Sequence, residues 1–204
     1  KYFQQQVARD IRPAPIGDLK DRLFLVSISP DTVPFAAHYG GTLMTFAFGP
    51  WEQRAPDVAR YREIYEKEHR RGAPPTSANM FVYCHEDAAK AKDMAQRYMR
   101  DYWQSAIDHY EMSGEHFSTA KSYEYYAEAA KALRENLEGV KDGFVDLQLW
   151  GTPSECLERI EAVRDAIGPI QINGCFSYAG MDYGDAEASM RLFARECIPV
   201  VKDW

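Results

Sequence analysis

The sequence predicts an α/β fold of parallel strands joined by helical crossovers. Three observations carry this: short runs that are apolar throughout, segments of helical period between them, and helix-start chemistry directly after strand ends. An apolar run without alternation suits a strand covered on both faces, as parallel strands are. Four strand–helix units in 204 residues amount to half of an eight-stranded barrel, which takes about 250 residues or more. Periodicity alone also fits an open doubly wound sheet.

In chain order, Lys1 to Asp21 is polar, carries Pro13, Pro15 and Gly17, and reads as a connector. Leu23 to Ile28 is the first buried strand. Ser29 before Pro30 gives a helix start, with Ser29 as cap and Pro30 in the first turn. That helix holds Phe35, Ala36 and Ala37 and stops at Gly40-Gly41. Thr42 to Phe46 is the second strand and Phe48 to Trp51 a loop. Pro56 to Arg71 is a helix with Val58, Tyr61, Ile64 and Tyr65 on one face. Ser77 to Cys84 is the third strand, and a long helix follows from Glu86 to about Met112. Ser113 to Gly143 is irregular and too long for a simple connection, so residues 113–143 read as an insertion with a helix near Ala127 to Leu137. Phe144 to Trp150 is apolar and extended in character. Thr152 and Glu155 spell a capping box, opening a helix with Cys156, Leu157, Ile160, Val163 and Ile167 inward. Ile170 to Phe176 is the fourth clear strand. The last helix, Asp185 to Val201, turns Ala186, Met190, Phe193, Ala194 and Cys197 to the core.

Hydrophobic residues make up 46% and charged residues 27%, an ordinary globular balance, and the net charge is -7. The basic residues are scattered among acids, which argues against nucleic acid and anionic membrane as partners. No apolar run approaches the roughly 20 residues of a membrane span. Cys84, Cys156, Cys175 and Cys197 make no CxxC or zinc spacing; they read as buried free thiols in a reducing, cytoplasmic protein, with no metal site expected.

The sharpest local feature is Val26-Ser27-Ile28-Ser29-Pro30-Asp31-Thr32, where a strand ends and a helix begins. Helical N–H groups without backbone partners, with the Ser29 and Thr32 hydroxyls, suit a phosphate. Simple capping by Ser29 explains the same residues, and Asp31 competes for the same helix end. Phe46, Phe48 and Trp51 follow the second strand, where barrel loops build active sites; they either line an apolar substrate pocket or plug the rim. Tyr123, Tyr125 and Tyr126 suit a lid or ordinary helix packing. No Ser-His-Asp spacing, HExxH motif, P-loop or GxGxxG is present, and no general acid or base can be named.

Three stretches resemble the luciferase-like flavin-dependent monooxygenases, relatives of the bacterial luciferase subunits. They are Val26 to Thr32 with Phe35-Ala36-Ala37-His38-Tyr39-Gly40; Trp150-Gly151-Thr152-Pro153-Ser154-Glu155-Cys156; and Phe176-Ser177-Tyr178-Ala179-Gly180-Met181 with Ser189 to Glu196 and Pro199. Their order and distances match the back half of that family. The resemblance implies one partial domain over residues 1–204, the C-terminal half of a (β/α)8 TIM barrel with an insertion after its seventh strand. It implies that Ser27, Ile28, Ser29 and Thr32 hold a cofactor phosphate, that Thr45 and Phe46 flank the flavin ring, and that Phe48 and Trp51 face the substrate. It further implies reduced FMN and O2 acting on a small organic substrate, a flavin reductase as the source of reduced flavin, and a homodimer. Deazaflavin-dependent hydride transfer on the same barrel and a non-catalytic partner subunit are the alternatives. A half barrel has two open strand edges, so the first four strands are expected in further sequence, a partner chain or a second copy.

Overall fold

The computed structural model describes residues 10, 12–17, 19, 22–115 and 124–204. Among them the order is β1 (Phe24–Val26), α1 (Val33–His38), β2 (Thr42–Phe46), α2 (Trp51–His69), β3 (Thr76–Cys84), α3 (Ala88–His109), α4 (Glu124–Glu135), α5 (Leu137–Asp146), β4 (Leu149–Gly151), α6 (Pro153–Ile167), β5 (Ile170–Cys175), α7 (Tyr183–Glu196) and α8 (Ile198–Val201). The Tyr123 position and the side chains of Tyr125 and Tyr126, the expected lid, lie outside the described residues, as does most of the N-terminal connector.

Every strand pair is parallel. Ala78 of β3 is level with Thr45 of β2 on one edge and Ile172 of β5 on the other. The order β1-β2-β3-β5 therefore runs without the reversal of a doubly wound sheet. Short β4 adds to the C-terminal end of β3, at Val82 to Cys84. This is half of a (β/α)8 barrel, with parallel strands and a helical insertion.

Side chains alternate between sheet faces. Ala78, Met80, Val82 and Cys84 join Leu43 in an outer core under residues of α1, α2, α6 and α7. Phe81 and Tyr83 point the other way and join a second core with α3 and α5. The helices α3, α4 and α5 between β3 and β4 thus close over the inner face at the C-terminal end of β3. The segment 113–143 lies within this longer run of helices between β3 and β4.

Several boundaries differ from the sequence expectation, each for a physical reason. β1 is only three residues and sits at the sheet edge, so Phe24 and Val26 are 42% and 55% exposed rather than buried on both faces. α1 opens at Val33, not Pro30: Ser29 to Thr32 closes as a turn, with Thr32 N donating to Ser29 O at 3.0 Å. Pro30 suits the second position of such a turn, and Pro34 takes the first-turn place instead. α2 begins at Trp51 and runs through Pro56. Phe144 to Trp150 is not one strand: Phe144 and Val145 end α5, and only Leu149–Gly151 is extended. The last helix breaks at Cys197, before Pro199. Met190 and Ala194 are exposed, while Leu192 is buried beside Phe193. Cys175 is exposed on β5, whereas the other three thiols are buried.

The capping box forms as expected: Glu155 N donates to Thr152 Oγ1 at 3.4 Å and Thr152 N to Glu155 Oε2 at 2.7 Å. Gly151 before it has φ 135°, and a Cβ there would meet Glu155 at 2.7 Å, so this strand-to-helix turn needs glycine. Tyr61, fully buried, donates its hydroxyl to Gly41 O at 2.8 Å and so ties α2 to the start of β2.

Burial pushes the Tyr61 and Tyr83 phenols up from 10.0 to about 12, and raises Tyr178 as well. Folding thus favours the protonated phenols. This contribution is complete below pH 10 and is lost as pH rises from 10 toward 12, each buried phenol giving up as much as about 1.4 kcal/mol per pH unit across that window. The urea midpoint is therefore expected to drop steeply there. A flat midpoint from pH 9 to 11.5 would contradict it.

Candidate functional site

In a parallel sheet all strand ends of one kind share one side, and the loops after β1, β2, β3 and β5 gather there. Two groups gather at that end: a hydroxyl cluster and an aromatic band.

The hydroxyl cluster is the β1–α1 loop. Ser27 Oγ lies 2.7 Å from Thr32 Oγ1, and Ser29 Oγ lies 3.2 Å from the same atom. Thr32 Oγ1 donates to Ser29 O at 2.8 Å. That spends the Thr32 proton. Ser27 is 3% exposed and has Thr32 Oγ1 and Ser29 O as acceptors; Ser29 Oγ–H donates to Thr32 Oγ1 and is the hydroxyl that can turn outward to a ligand instead. Below the loop the buried Arg54 donates to Ile28 O, which fixes the turn and places a cation under it. Asp57 shares that guanidinium at 3.4 Å. α1 has six residues, two prolines fall within residues 30–34, and the Thr32 amide is already bonded. The donor set is therefore hydroxyl-based, and the expected row of free helix amides is not what the loop offers.

The aromatic band runs over the inner face. Phe46 stacks on Phe48 at 5.6 Å, Phe48 meets Trp103 at 5.4 Å, and Trp103 stacks on Phe144 at 4.6 Å. Phe81 meets Tyr102 at 4.3 Å and Tyr178 edge-on at 4.8 Å. Gln148 fixes this band from beneath. It accepts from Phe81 N at 3.0 Å and donates to Ala47 O at 3.2 Å and Phe144 O at 3.1 Å.

Of the residues singled out in the sequence, Ser27, Ile28, Ser29 and Thr32 form one loop, and Phe46 and Phe48 lie on the inner face. Thr45 alternates with Phe46 and shares the outward side with Leu43; it is 2% exposed, with Oγ1 unpartnered. Trp51 opens α2 and packs in the outer core, away from Phe48. Sequence reasoning missed Asn79, Phe81, Tyr102, Trp103, Phe144, Gln148 and Tyr178. The alternation along β3 was a usable signal for Asn79 and Phe81; the others depend on contacts between distant segments.

The sequence model of the luciferase-like monooxygenases matches residues 1–168. This chain belongs to the luciferase-like monooxygenase family. No curated protein matches it. Among solved structures it is similar to the monooxygenase RslO1 from Streptomyces bottropensis, with 20% identity and a TM-score of 0.60, covering 94% of this chain and 50% of that one. It is also similar to the oxygenating constituent of 3,6-diketocamphane monooxygenase from Pseudomonas putida, solved in complex with FMN: 17% identity, TM-score 0.54, 86% of this chain and 48% of that one. The coenzyme F420-dependent tetrahydromethanopterin reductase from Methanopyrus kandleri gives 17% identity, TM-score 0.54, and 86% and 50% coverage. This luciferase-like chain thus spans about half the length of those structures. Among its described residues no helix is long and apolar enough to cross a membrane.

Proposed function

We propose that the intact protein is a flavin-dependent monooxygenase using reduced FMN and O2 on a small organic substrate. The observation that carries this reading is one hydroxyl cluster beside one aromatic band at the C-terminal end of a luciferase-like half barrel. The residues fit the cofactor: Ser29 offers a hydroxyl donor held beside Thr32, Arg54 adds positive charge beneath them, and Phe46 and Phe48 offer flat apolar surface for a ring. In this reading Ser27, Ile28, Ser29 and Thr32 hold the phosphate. Phe48 faces the substrate, joined by Phe81, Trp103 and Phe144, and the inserted helices keep water from the mouth. Bound reduced FMN supplies the electrons for oxygen activation, while the protein binds, orients and desolvates. A flavin reductase supplies the reduced cofactor, and a homodimer is the proposed assembly.

The named relatives include an FMN complex and a coenzyme F420-dependent enzyme. Both cofactors carry phosphate, so a deazaflavin-dependent oxidoreductase is the second reading. The absorbance spectrum of the purified full-length holo-protein separates the two. Micromolar FMN binding with substrate-dependent O2 uptake is expected. A protein that binds neither cofactor, or that only stabilises another subunit, sinks the proposal.

A further inference from the structure

Asn79 sits on the inward-facing row of β3, level with Phe46 on one side and Asn173 on the other. Its Nδ2 donates to Thr45 O at 3.0 Å. A carbonyl only accepts, so the Asn79 amide has one possible orientation, with Oδ1 turned toward β5. There it accepts from Nδ2 of Asn173. The Asn173 amide is oriented in turn. Its Oδ1 and one remaining N–H have no partner among the described residues, and both belong to an exposed side chain on the inner face.

An amide held this way has one acceptor and one donor left to offer a ligand. Its complement is a ring edge that alternates C=O and N–H, as in an imide. The pyrimidinedione ring shared by flavins and deazaflavins has that edge. Position agrees: the register runs Val26, Met44, Ser77, Gln171 across the sheet. Asn173 therefore lies three strand spacings, about 14 Å, from the Ser27 loop, a span suited to a ribityl chain and a tricyclic ring lying across Phe46. We infer that Asn173, oriented by Asn79, recognises the pyrimidinedione edge of the cofactor. This rests on the cofactor reading proposed above and adds a contact at the opposite end from the phosphate.

The test compares FMN with N3-methyl-FMN, which lacks the edge donor, by flavin fluorescence titration of the full-length protein. Wild type is expected to bind the methylated cofactor about tenfold more weakly, the scale of one lost hydrogen bond in a shielded site. Asn173→Ala is expected to lose about tenfold for FMN and to stop discriminating between the two. Asn173 is exposed, so the variant should melt with wild type. Equal binding of the two cofactors by wild type, or undiminished discrimination by Asn173→Ala, overturns the inference alone. Failure of wild type to bind any flavin or deazaflavin overturns the function reading and this inference with it.

Discussion

Thr32→Asp is expected to weaken FMN binding by roughly 100-fold while leaving the chain folded. The two effects separate because the same position serves two roles. Thr32 is the N-cap of α1, yet its side chain makes no cap hydrogen bond. Aspartate is a better cap than threonine and favours a helix start. Toward a phosphate it is the reverse. A carboxylate about 5 Å from one phosphate charge costs about 3 kcal/mol at an effective dielectric constant of 20, which corresponds to roughly two decades in affinity. Thr32→Ser keeps the hydroxyl at the hub of Ser27 and Ser29 and should bind within a few-fold of wild type. A Thr32→Asp protein with wild-type FMN affinity and an unchanged melting curve would remove the hydroxyl cluster from the cofactor site.

The elements legible in the sequence are those whose signals are local. Thr42–Phe46 is a short run of apolar residues and threonines closed by turn residues, and β2 spans it. Thr152 and Glu155 stand three apart, and the capping box forms between them. The site is only half legible. Ser27, Ser29 and Thr32 lie within six residues of each other, so their clustering follows from one loop. Ser29 and Pro30 do not start the helix because Thr32 and Pro34 offer a second start three residues later, and the side-chain bond from Thr32 to Ser29 O favours the turn. Trp51 reads as a companion of Phe46 and Phe48, but Pro50 starts a helix there and turns the indole to the outer core. Phe144 to Trp150 misleads for another reason. Its apolar residues serve two cores on opposite faces of the sheet, Phe144 and Val145 in one and Leu149 in the other. No single period describes a segment that changes both face and conformation.

That segment also holds the polar residue on which the mouth depends, and Gln148→Met is expected to be the most destabilising conservative change in the chain. Gln148 is 1% exposed and satisfies three backbone groups: Phe81 N on β3, Ala47 O after β2 and Phe144 O at the end of α5. Two of those partners lie 67 and 101 residues away in sequence, which is why an apolar run gives no hint of the role. Methionine keeps the length and most of the volume, so little cavity cost arises. It leaves one donor and two acceptors without partners in a dry interior. At about 1–3 kcal/mol for each stranded group, even the low end totals about 3 kcal/mol, or about 6–12 °C in melting temperature for a domain of this size. The loss should also reach the site, because Ala47 precedes Phe48 and Phe144 stacks on Trp103. Near-ultraviolet circular dichroism of the aromatic band should weaken before global unfolding in the variant, whereas Gln148→Glu at low pH, with the carboxyl protonated, should recover part of the bonding. A Gln148→Met midpoint within about 1 °C of wild type, against the shift expected for stranded groups, would show that water reaches these backbone groups and that the inserted helices do not seal the mouth.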